Sequence, residues 1–104
     1  MMSPRHHLFD AQEVVGLTIY MRLDVAEVSR ILQMLVRERL TIDRFNANFS
    51  QIDLSHVAGL NHVDVPLMKL VVVASVASTH EIESATKALN RLLDVVKVLV
   101  SQSI

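Results

Sequence analysis

The chain has 104 residues, 51% of them hydrophobic and 20% charged, with ten basic and eleven acidic side chains and a formal net charge of −1. That length suits one domain around one core, and the near-neutral balance removes the electrostatic reason to expect a nucleic-acid backbone as ligand. The absence of cysteine excludes disulfides, thiolate metal sites and a cysteine nucleophile, and charges interrupt every apolar segment before it reaches the roughly 20 residues of a membrane span.

Residues 1–13 combine Pro4, His6, His7 and Asp10 without periodicity and read as a tail ahead of a domain over 14–104. No apolar stretch follows Arg5, so no secretory leader is expected and the cytoplasm is the expected location. From Val14 to Leu23, Val15, Leu17, Ile19, Met21 and Leu23 alternate with Gly16, Thr18, Tyr20 and Arg22, the period of a half-buried strand. Asp24 is placed to cap a helix, because its short carboxylate can accept a backbone N–H of the first turn. Val25, Val28, Ile31, Leu32, Leu35 and Val36 then recur at helical spacing, with Glu27, Arg30, Gln33, Arg37 and Glu38 on the other face. The alternation of Phe45, Ala47 and Phe49 with Arg44, Asn46 and Asn48 predicts a second strand over Thr41 to Phe49.

Segment 50–66 suits a long hairpin with Gly59, Leu60 and Asn61 at its turn. Leu67 to Val76, apolar but for Lys69 and Ser75, predicts a central strand. Ser78 and Glu81 have capping-box spacing, and Ile82, Ala85, Ala88, Leu89 and Leu92 trace a second helical stripe. Asp94 marks a turn into a last strand over Val95 to Val100. The order βαββαβ predicts an α+β, ferredoxin-like sandwich: four antiparallel strands with two helices on one face. The other sheet face then needs a partner or a second copy to cover its apolar side chains.

No catalytic residues emerge. Ser75, His80 and Glu81 lack the strand-turn-helix nucleophile motif, and two glycines, Gly16 and Gly59, cannot make a phosphate loop. His56 and His62 could meet across the hairpin but have no third ligand nearby, so no metal site is predicted. Aromatic residues are only 4% of the chain, and strand three has none, which speaks against an RNA-stacking platform.

Leu89-Asn90-Arg91-Leu92-Leu93-Asp94-Val95-Val96-Lys97-Val98 resembles the end of the ACT domain in small regulatory subunits of acetolactate synthase. Lys69 to Val76 resembles that family's third strand and Leu17-Thr18-Ile19 its first, so the likeness spans about Val14 to Ser101. The chain's end at Ile104 agrees with the short, single-domain members. The resemblance implies a non-enzymatic subunit without cofactor that modulates the large, thiamine-diphosphate-dependent catalytic subunit in branched-chain amino-acid biosynthesis. It also implies a homodimer through ACT-like domains, with an amino-acid effector such as valine at the first strand-to-helix turn, here Leu23, Asp24, Val25 and Ala26. Effector-sensing members carry Pro-Gly in that turn, where glycine lets N–H groups reach the ligand carboxylate. Asp24 would instead repel a carboxylate or pair with an ammonium group. The alternative is a stand-alone ferredoxin-like module for another small metabolite or protein.

Overall fold

A computed structural model describes residues 13–49 and 66–102. Six elements follow in chain order: β1 (Glu13–Arg22), α1 (Val25–Arg37), β2 (Thr41–Asn48), β3 (Leu67–Val76), α2 (Thr79–Asn90) and β4 (Val95–Gln102). The strands form one sheet in the order β2-β3-β1-β4, with every neighbouring pair antiparallel. This is the ferredoxin-like topology expected from the period changes. The expected hairpin over 50–66, with His56 and His62, lies outside the described residues apart from Pro66. Among the described residues, no helix is long and apolar enough to cross a membrane.

Residues directly opposite one another in a ladder share a sheet face. The register sets Leu17 against Val72, Ile19 against Leu70 and Met21 against Met68 on one face, and all six side chains are fully buried. Val28, Ile31 and Leu35 of α1 and Ile82, Ala85 and Leu89 of α2 join them in one core. Each such large apolar side chain contributes about 1.5–3 kcal/mol through removal from water. Both helices therefore lie over the same face. Gly16, Thr18 and Tyr20, opposite Val73, Val71 and Lys69, belong to the other face.

Several local expectations need adjustment. Val25 and Val36, assigned to the core stripe of α1, are 66% and 58% exposed. Glu27, assigned to the solvent face, is buried. The capping box at α2 is incomplete: the Ser78 side chain makes no cap bond, and the Glu81 carboxylate accepts the N–H of Ala77 at 2.9 Å instead. β4 continues two residues past Val100, since its pairing with β1 extends to Gln102 opposite Val15. Phe49 falls just beyond β2.

The exit from α1 holds a feature that periodicity does not reveal. Arg39 donates its N–H to the Val36 carbonyl at 3.0 Å and Leu40 donates to the Leu35 carbonyl at 3.1 Å. This crossed pair is a Schellman motif, completed by apolar contact between the residues at its ends; here these are Leu35 and Leu40, both buried. The motif needs a left-handed residue between them, and Arg39 takes that role with φ 74°, where a Cβ is disfavoured. Arg39→Gly is expected to raise stability by up to about 1 kcal/mol, the relief of Cβ strain exceeding the added freedom of the unfolded chain. An unchanged or lowered urea midpoint would contradict this.

Candidate functional site

The turn singled out from sequence, Leu23 to Ala26, lies where three strands enter or leave one end of the sheet. Its position is set by backbone bonds on both sides. Arg22 N–H donates to the Asp94 carbonyl at 2.9 Å, and Leu23 N–H donates to the Pro66 carbonyl at 3.1 Å. The connection from β1 into α1 is thus tied to the residues just ahead of β4 and β3. Leu23, Asp24, Val25 and Ala26 are all exposed.

Asp24 is the N-cap of α1, in extended backbone conformation, and its Oδ1 accepts the N–H of Ala26 at 3.0 Å. Its carbonyl accepts the N–H of Glu27 at 3.1 Å. The chain's own groups therefore occupy two donors of the first turn, and a negative charge already sits on the positive end of the helix dipole. A ligand carboxylate approaching this turn meets Asp24.

The surroundings strengthen that polarity. Carboxylate oxygens of Asp24, Glu27 and Asp94 lie within 4.8 Å of one another. Among the described residues Arg30 offsets them: its Nη1 donates to Glu27 Oε1 at 2.6 Å. That bond, together with the charge of Glu27, raises the Arg30 pKa above its ordinary value, with smaller help from Asp24 and Asp94. Arg30 remains a guanidinium throughout the accessible pH range. Among the described residues the turn therefore has acidic character with Arg30 as its counter-ion, and its chemistry suits an ammonium or another cation better than an anion. Glu27 and Asp94 escaped the sequence reading as members of this group, because α1 folds Glu27 back toward the turn and the β4 lead-in arrives from 70 residues away.

Ser75, His80 and Glu81 do not assemble into a catalytic set. Ser75 Oγ donates to Asp43 Oδ2 at 2.9 Å, Glu81 is engaged by Ala77, and His80 is exposed. A shallow groove of about 350 Å³ runs between α1 and β2, lined by Leu32, Gln33, Val36, Arg37 and Ile42. Its walls are mainly apolar, and it carries no group suited to chemistry.

No family model matches the sequence, and no curated protein matches it. Solved structures do match the fold. The ACT domain of GTP pyrophosphokinase from Chlorobium tepidum superposes with a TM-score of 0.65 at 11% identity, over 86% of this chain and 99% of that one. A homoserine dehydrogenase from Thiobacillus denitrificans gives 0.64 at 11% identity over 88% of this chain, which spans only 17% of the dehydrogenase chain. The C-terminal domain of the MgtC protein from Mycobacterium tuberculosis gives 0.64 at 9% identity, over 90% of each chain. The fold is therefore ACT-like, and at these identities the likeness concerns the fold alone.

Proposed function

We propose that this chain is a non-catalytic regulatory module that binds and modulates the catalytic subunit of acetolactate synthase in branched-chain amino-acid biosynthesis, pairing with a second copy through its ACT-like domain. The observation that carries this reading is the agreement between fold and local sequence in the last third. Leu89 to Val98, the stretch resembling the regulatory subunits, forms the end of α2, the turn at Asp94 and the start of β4 within an ACT-like fold. A modulator acts through different affinities for two states of its partner, so it needs a binding surface and no reacting groups. In the direct test the purified chain is added to the cognate catalytic subunit. A change in turnover together with a larger hydrodynamic size is expected, and neither changing would end the proposal.

Effector sensing is a separate matter within the same reading. With Asp24 on the helix N-terminus and Glu27 and Asp94 beside it, the carboxylate of valine is repelled where sensing members hold it. Calorimetry should find valine binding no tighter than about 1 mM, and micromolar affinity would reverse this account of the turn. The same acidity favours a second reading, a stand-alone ACT-like module whose small metabolite presents an ammonium group.

A further inference from the structure

The net charge of −1 does not describe every surface, because the register gathers an excess of cations on one sheet face. On the sheet face turned away from the helices, the described strands carry Arg22, Arg44, Lys69 and Lys97. Asp43 is the acid that its bond to Ser75 brings to the same side. The helix layer and its turns are nearly balanced, with Asp24, Glu27, Glu38, Glu81, Glu83 and Asp94 set among Arg30, Arg37, Arg39, Lys87 and Arg91. Cross-strand rows give the cationic face its pattern. One row runs Asn48, Lys69, Tyr20, Lys97 across all four strands, and the next runs Asn46, Val71, Thr18, Leu99. Beyond them lie Arg44, Val73 and Gly16. The centre is thus an apolar strip of half-buried Val71 and Val73 with Leu99, which is 44% exposed, and it has Lys69, Lys97 and Arg22 toward one end and Arg44 at its β2 edge.

We infer that this face docks an acidic amphipathic helix of a protein partner. Charge complementarity selects an anionic occupant, and the apolar strip selects one with a hydrophobic stripe, since a helix laid on a sheet is the usual way to bury such a strip. The same architecture already covers the opposite face with α1 and α2. Nucleic acid is the poorer fit. Tyr20, the aromatic that the register places here, is 7% exposed, so bases find no open ring for stacking. β1 and β3, at ten residues each, extend about 33 Å, the length of a helix of roughly 20 residues.

The inference goes beyond the acetolactate synthase reading and is tested without it. The full chain, labelled for amide NMR, is titrated with a synthetic peptide of about 20 residues that places leucines on one helical stripe and glutamates beside them. A scrambled peptide of equal composition and an oligothymidine of about 12 nucleotides serve as competitors. Shifts are expected at Gly16, Thr18, Val71 and Val73 with α1 and α2 undisturbed. The scrambled peptide and the oligonucleotide should each bind at least about tenfold more weakly, and added salt should weaken the peptide. The Arg44→Glu/Lys69→Glu double variant should lose about tenfold in affinity, and Arg44→Glu alone, on the exposed sheet edge, should lose part of that while keeping the native spectrum. No binding, shifts confined to the helices, equal affinity for the scrambled peptide, or preference for the oligonucleotide would each overturn the inference. Docking of the peptide while the catalytic subunit is unaffected would keep it and remove the regulatory reading.

Discussion

Leu70→Ala is expected to destabilise the domain by about 2–5 kcal/mol, the range for a fully buried leucine whose site cannot collapse around the missing atoms. Leu70 sits midway along β3, opposite Ile19 on one side and Ala47 on the other, and has no exposure. β3 is flanked by strands on both edges and roofed by helices, so neighbouring elements have little freedom to move inward. A domain of this size holds only about 5–15 kcal/mol in total, so the substitution removes a large fraction of the stability. Urea unfolding should show a lower midpoint with an unchanged slope. Leu93→Ala provides the contrast: the residue is 94% exposed in the turn before β4, and its replacement should stay within about 0.5 kcal/mol. Comparable losses from the two substitutions would mean that the core has been misplaced.

A coupling of about 1–2 kcal/mol is expected between Glu38 and Ser84. The Ser84 hydroxyl donates to Glu38 Oε1 at 2.6 Å across 46 residues of sequence, in partly buried surroundings. A hydrogen bond to a carboxylate is stronger than one between neutral groups, and partial burial limits competition from water. Glu38 is also the C-cap of α1, so the single Glu38→Ala change alters the helix end as well as the bond. A double-mutant cycle with Ser84→Ala cancels that contribution and isolates the bridge between the helices. Additive effects of the two substitutions would show that this contact does not help lock α1 to α2.

These two expectations differ in how far ahead they could be seen. β3 was delimited from its apolar run at the bounds it has, Leu67–Val76, and Leu70 could be assigned to a central strand from neighbours alone. The Asp24 cap was equally visible, because an N-cap depends on residues two or three positions away. The Glu38–Ser84 bridge could not be foreseen. It requires the end of one helix to meet the middle of another, and nothing in either local pattern specifies that meeting. The Arg39 conformation was hidden for a related reason. A left-handed position usually announces itself by glycine or asparagine, and here the buried Leu35 and Leu40 hold an arginine in it.

The candidate site divides along the same line. Leu23 to Ala26 could be named from the change between strand and helix periods, and the poor fit of a carboxylate followed from Asp24. Its acidic environment could not, since Asp94 comes from the far end of the chain and Glu27 reads as a solvent-facing helical residue. Composition likewise put the net charge near zero, whereas the register gathered Arg22, Arg44, Lys69 and Lys97 on one sheet face.

Order along the chain and element type were thus determined by the sequence itself, because side-chain period and capping act over a few residues. Strand order, pairing register, the partners of Glu27 and Glu38 and the polarity of each face were decided by the tertiary structure. A shift of one residue between strands exchanges every side chain from one face to the other, and only the simultaneous packing of both helices on Leu17, Ile19, Leu70 and Val72 selects the register that exists.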